Sequence, residues 1–153
     1  LATYEPPSGP GVRVDGYGEL ADVTVDPRLS ARYEVTDSTA LKWGVGFFSQ
    51  PPVYYESLDE IGNPAIEPTH ALHTSAGVEQ RLGASLGLGL EGFYKRLYHR
   101  VVATEGLVPP RFTNDGVGRI YGVELSARYR TRRTFAYLAY TLSRSERQDR
   151  TDP

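Results

Sequence analysis

Gly87-Leu88-Gly89-Leu90-Glu91-Gly92 spells G-x-G-x-x-G, a spacing that can hold a dinucleotide pyrophosphate. That use requires the glycines to join a strand to a helix, so that amides at the helix N-terminus meet the phosphates. Here the glycines alternate with leucines and more strand-like sequence follows, so small positions on one face of a strand are the expected reading. His70 and His73, near Glu67, have metal-ligating side chains, and their three-residue offset would suit a helix. They lie where a proline-bearing loop enters a strand, and in a strand that offset sends the two rings to opposite faces. Asp59, Glu60 and Glu67 lack the regular spacing of a calcium loop. No Gly-x-Ser-x-Gly elbow positions a Ser-His-Asp set, and no carboxylate pair stands out for glycoside chemistry, so no catalytic residue and no metal site are assigned. No cofactor is expected.

Two loops hold candidate binding residues. Tyr54 and Tyr55 follow Pro51-Pro52 in the longest one, and Arg111-Phe112 stand in the next long one. Aromatic and guanidinium groups on exposed loops can grip a small substrate or can pack the loop on itself. The mixed-charge stretch from Arg144 onward, with Glu146, Arg147, Asp149, Arg150 and Asp152, is expected to be extracellular loop.

The elements that must carry these residues are strands. Tyrosine (11) and glycine (16) are abundant among 153 residues, there is no cysteine or methionine, and the net charge is -2. The near balance of charge argues against a nucleic-acid binder. The absence of methionine means that Leu1 is not expected to be a translation start. Mean hydropathy is -0.42, but such averages are uninformative where apolar and polar residues alternate. Alternation is what dominates. Leu29, Ala31, Tyr33 and Val35 oppose Ser30, Arg32 and Glu34. Leu41, Trp43, Val45 and Phe47 oppose Lys42, Gly44, Gly46 and Phe48. The same period runs through 12–17, 75–82, 86–95 and 119–130, while 134–143 is apolar on both faces. These are seven strand candidates, and Tyr4 is a candidate for closing an eighth.

Short turns are expected at 8–10, 36–39, 81–85 and 130–134, and long loops at 18–26, 51–72, 104–118 and from 144. Short-long alternation is the rhythm of an outer-membrane barrel, whose periplasmic turns are tight and whose extracellular loops are extended. Arg13, Asp15, Arg32, Glu34, Lys42, Glu79, Arg81, Glu91, Lys95, Glu124 and Arg128 share one face, expected to line a lumen. The other face, with Leu29, Tyr33, Leu41, Trp43, Val45, Leu88, Tyr121 and Leu125, has the residues expected against lipid.

Several phrases then resemble the barrel of TonB-dependent receptors. "PGVRVDGYGE" (10–19) precedes "VDPRLSARYEVTDSTALKWGVGFFSQPP" (25–52), which is similar to strands these receptors build around a DPR segment. "GNPAIEPTHALHTSAGVEQRL" (62–82) is similar to their Asn-Pro-x-Leu-x-Pro-Glu loop, with Ile66 in place of leucine and Thr69 where glutamate is usual. "GFYKRLYHRVV", "NDGVGRIYGVELSARYR" and "AYLAYTLSRSER" continue the order. The resemblance implies an all-β, antiparallel transmembrane segment, with about 7–8 strands of a roughly 22-stranded barrel. It implies that residues 1–153 are one partial barrel domain, without plug domain or C-terminal strands, either a truncated product or a slice of a longer receptor. Such an isolated piece is not expected to transport. The whole receptor would sit in the bacterial cell outer membrane and import a ferric siderophore, cobalamin or glycan. Its partners would be outer-membrane lipid, the TonB complex acting through the plug, and a small-molecule or metal-chelate substrate. The residues themselves also allow a small self-closed barrel with a structural or adhesive role, or a soluble β-sandwich or lipocalin-like module.

Overall fold

The computed structural model describes residues 9–17, 22–104 and 110–149. These form seven strands: β1 (Gly9–Tyr17), β2 (Asp22–Thr36), β3 (Thr39–Gln50), β4 (Thr69–Leu82), β5 (Leu86–Ala103), β6 (Phe112–Arg130) and β7 (Phe135–Asp149). Each pairs antiparallel with the next in one sheet ordered β1 to β7, and a single 3-10 turn at Tyr54–Glu56 interrupts the longest connection. The fold is therefore all-β, with β1 and β7 as open edges among the described residues. One sheet with no second layer is not a sandwich.

Two short turns are built alike. Thr36 Oγ1 accepts from the Ser38 and Thr39 amides at 3.2 and 3.0 Å, and Thr131 Oγ1 accepts from Arg133 and Thr134 at 3.4 and 3.1 Å. A threonine that bonds the amides two and three residues on fixes a tight reversal without glycine. The third turn uses Gly83, whose φ of +64° is the left-handed region open to glycine.

Register fixes the faces. Tyr33, Leu41, Val78, Leu90, Leu125 and Tyr140 form one cross-strand row, and Ala31, Trp43, Ala76, Gly92, Val123 and Leu142 the next. This settles β7: Leu138, Tyr140 and Leu142 join the apolar face, while Tyr137 and Thr141 lie on the charged one. The apolar face is the more exposed. Leu41, Trp43 and Phe47 on β3 are exposed, whereas Lys42 and Phe48 are half-buried and Gly46 is buried. Apart from Pro68 and glycines, the buried apolar residues among those described are only Ala40, Ile66 and Val102. The usual arrangement of a water-soluble sheet is thus inverted: nothing among the described residues covers the apolar side.

Five expected boundaries are corrected. Gly9 and Pro10 begin β1 rather than sit in a turn; Ser8 and Tyr4 lie outside the described residues. The loop expected at 18–26 is strand from Asp22, paired to β1 through Tyr17↔Asp22, Val14↔Val25 and Val12↔Pro27. Pro27 ends no strand because β2–β3 pairing starts only at Arg28, so its missing donor costs no bond on that side. The loops expected at 51–72 and 104–118 give way to strand at Thr69 and Phe112, and the stretch from Arg144 continues β7 to Asp149. Those upper ends are polar on both faces, and backbone pairing with ion pairs holds them: Arg100 Nη1 meets Asp149 Oδ1 at 2.7 Å, and Arg119 pairs with Glu146.

Candidate functional site

On the charged face, register assembles a row that no single strand reveals. Arg32 faces Lys42, Lys42 faces Gly77, Gly77 faces Glu91, and Glu91 faces Glu124. Like charges directly opposed would repel. Glu79, one step along β4, relieves the first pair: its carboxylate lies 3.0 Å from Lys42 Nζ and 3.6 Å from Arg32 Nε, while Arg32 also holds Glu34 at 2.8 Å. Lys42 then reaches across Gly77, which has no side chain to obstruct it, to Glu91 at 3.6 Å. Glu124 accepts from Thr141 Oγ1 at 3.3 Å.

Five of the eleven expected lumen residues (Arg32, Glu34, Lys42, Glu79 and Glu91) therefore form one network. The others are held separately. Arg13 pairs with Asp15, donating at 2.9 Å, and Arg81 donates to the Asp37 carbonyl in the β2–β3 turn. Arg128 stacks over Tyr137 with its guanidinium carbon 6.0 Å from the ring centre. Lys95 lies opposite Ile120 and His73. Half-exposed pairs of this kind are worth about 0–1 kcal/mol each, so what the network provides is a wet, polar surface rather than stability.

The 51–68 connection folds back over the upper ends of β5 and β6. Asn114 acts there as a strand partner: its Oδ1 accepts from the Glu67 amide at 2.8 Å, and its Nδ2 donates to the Glu67 and His99 carbonyls at 2.9 Å. His99, at φ 50°, turns its ring to Glu67, with Nδ1 2.9 Å from Oε2. Asn63 Nδ2 donates to the Phe112 carbonyl at 2.9 Å, and the Tyr55 and Phe112 rings meet at 5.9 Å. Of the expected binding residues, then, Tyr55 and Phe112 are brought together to fasten the loop. Tyr54 and Arg111 stand exposed. Replacing Asn114 with alanine removes three bonds at once. We expect cleavage within 51–68 by a dilute protease to quicken about tenfold, a loss of about 1.5 kcal/mol. An unchanged rate would show that the clamp contributes nothing.

One constellation was not visible in the sequence. Asp26, only 3% exposed, accepts from Ser49 Oγ at 2.7 Å and from the Ser49 amide at 3.1 Å; Ser49 Oγ also lies 3.0 Å from His70 Nδ1. The composition is that of a catalytic triad but the order is wrong. The serine sits in the middle and gives its proton to aspartate, so His70 can only donate to it and cannot draw that proton away. Beside it a cavity of about 540 Å³ is bounded by Val25, Phe47, Ser49, Glu67, Pro68 and His70. His73 is elsewhere, with ring centres 6.2 and 6.3 Å from Phe48 and Phe93, so the two histidines do not converge. Among the described residues no group of three His, Cys, Asp or Glu could hold a metal ion. Gly87 to Gly92 lies wholly within β5, with no helix to receive a phosphate.

A sheet with one charged, water-competent face and one uncovered apolar face among the described residues defines a segment of a membrane β-barrel. The chain belongs to the TonB dependent receptor-like, beta-barrel family, whose sequence profile it matches over residues 9–153. That family comprises transport receptors of the Gram-negative outer membrane and is not an enzyme family. Solved structures agree on the fold. The FrpB iron transporter from Neisseria meningitidis (F3-3 variant) is 17% identical, with a TM-score of 0.63 over 81% of this chain and 20% of that one. The F5-1 variant in its apoprotein form gives 18% and 0.65, over 84% and 20%. The copper transporter OprC gives 22% and 0.56, over 80% and 20%. The chain thus spans about a fifth of these transporters. No curated protein matches it.

Proposed function

We propose that these strands are part of the wall of an outer-membrane receptor that actively imports a scarce nutrient. The observation that carries this reading is the inversion of the sheet: the charged network is the more covered face and the apolar face is left open. The charged residues from Arg13 to Arg128 would line the lumen and meet water or a plug domain through which the TonB complex acts. The face of Leu29, Leu41, Trp43, Leu88 and Leu125 would meet lipid. At the extracellular rim Tyr54 and Arg111 are the side chains placed to contact substrate, with Tyr55 and Phe112 supporting their loops. FrpB is described as an iron transporter and OprC as a copper transporter, which favours a metal chelate over a glycan or other metal-free nutrient. The test is uptake. Deleting the gene should abolish entry of either a radiolabelled ferric siderophore or copper, and a plasmid copy should restore it. Wild-type uptake of both after deletion would contradict the metal-chelate reading.

A further inference from the structure

Most of the positive charge at the short-turn end of the sheet is gathered on one turn, Arg81 being held at the Asp37 carbonyl of another. Arg128, Arg130, Arg132 and Arg133 fall within six residues around the β6–β7 reversal, and no carboxylate occurs anywhere between Glu124 and Glu146. The other two described short turns are Asp37-Ser38 and Gly83-Ala84-Ser85, one acidic and one uncharged. Arg128 and Arg130 are occupied, stacked on Tyr137 and Phe135 at 6.0 and 5.6 Å. Arg132 and Arg133 are exposed, and neither side chain has a partner among the described residues. Stacked guanidiniums keep their charge, so the two open ones sit in a local positive field with no acid to quench it.

Directly along the strands from this turn, on the apolar face, lies a groove of about 490 Å³ lined by Val78, Leu88, Leu90, Leu125, Leu138 and Tyr140. Leu138 follows Thr134, the end of the turn, by four residues, roughly 13 Å of strand. An acyl chain occupies about 15 Å of each half of a bilayer core. A phosphate at the turn and an acyl chain in the groove therefore fit one molecule.

We propose that the β6–β7 turn and this groove form a binding site for an anionic phospholipid of the periplasmic leaflet. Arg132 and Arg133 hold the phosphate, and the Leu88–Leu125–Leu138 groove holds an acyl chain. The site rests on the reading that the apolar face meets lipid. A net-negative headgroup is preferred over a zwitterionic one, which brings its own cation into a field that is already positive. The groove distinguishes a lipid from a free anion, because inorganic phosphate has nothing to place there.

Native mass spectrometry of the full-length product in neutral detergent tests this, with phosphatidylglycerol, phosphatidylethanolamine and inorganic phosphate as probes. The wild type should retain one phosphatidylglycerol in preference to phosphatidylethanolamine, and a matching excess of inorganic phosphate should not displace it. Arg132→Ala with Arg133→Ala should weaken retention roughly 30-fold, and the double lysine variant should recover much of it. Equal retention by the alanine variant would overturn the proposal. So would displacement by inorganic phosphate, which would mark a simple anion site. Heat-modifiability of the alanine variant separates loss of the site from loss of the fold. A wild type that is itself not heat-modifiable would instead break the membrane reading.

Discussion

Arginine in place of Leu125 is expected to cost about 2–4 kcal/mol of assembly into the bilayer, and arginine in place of Thr141 nearly nothing. Leu125 is about half exposed, sits in the row Val78, Leu90, Leu125, Tyr140, and lies five residues above the β6–β7 turn, near mid-membrane depth. A guanidinium there must shed water in a zone that offers no partner. Thr141 lies one step away on β7 but on the opposite face, where its hydroxyl already donates to Glu124. An arginine at that site meets a carboxylate and water. The two variants add the same charge to adjacent strands, so only the face differs. The fraction recovered as heat-modifiable outer-membrane protein reads the effect directly. Equal recovery of the two would sink the assignment of faces.

Gly122→Val is expected to be nearly as damaging for a different reason. A Cβ on Gly122 would run into the Leu142 carbonyl oxygen and come within 2.8 Å of Ser143 Cβ and 2.9 Å of Phe93 Cζ. The ring could swing aside, but the carbonyl belongs to the β6–β7 ladder and moves only if the strands part. Overpacking of this kind costs about 1–3 kcal/mol, more where backbone must shift. Gly87→Val is the control: the nearest atom to its Cβ would be the Arg128 carbonyl at 4.0 Å, and a β-branched residue favours strand. In urea titrations of refolded protein the first variant should lower the midpoint and the second should leave it or raise it. If Gly87→Val proved the more harmful, the packing described for the charged face would be mistaken.

What the sequence disclosed, and what it withheld, follows from the contrast between faces. In Leu41–Phe48 and Leu86–Lys95 the faces differ sharply in polarity, so period two is plain and the charged and apolar residues separate onto opposite faces. In Phe135–Leu142 both faces are apolar, and only register against Ala127, Leu125 and Val123 orients the strand. At Phe112–Gly118 and Arg144–Asp149 both faces are polar, so strand resembled loop; partner strands and ion pairs such as Arg100–Asp149 decide there. The loop expected at 18–26 stopped short of Pro27, a residue that usually punctuates, yet this proline lies inside β2, where β2 lacks β3 as a neighbour.

Membership of the charged face was legible, but its wiring was not. That Lys42 reaches Glu91 depends on Gly77 lying between them in register, three strands' worth of information. Asp26, Ser49 and His70 lie 23 and 21 residues apart along the chain, on β2, β3 and β4, and no local pattern links them. Tyr55 and Phe112 were singled out for possible contact with substrate; their pairing with each other emerges only when two long connections fold over the same strand ends.

These 153 residues hold no cysteine, so a single one can be placed at will within them. The first measurement to make is a cysteine scan of Gly87 to Leu90 on β5, and of Ser126 and Leu125 on β6, in the full-length product within outer-membrane vesicles. Each site is probed with a water-soluble maleimide. The expected result is a period of two: labelling at 87, 89 and 126, and protection at 88, 90 and 125 that is lost when detergent unfolds the protein. Uniform labelling of both faces, or protection of the charged face and labelling of the apolar one, would contradict a barrel wall with its leucines in lipid.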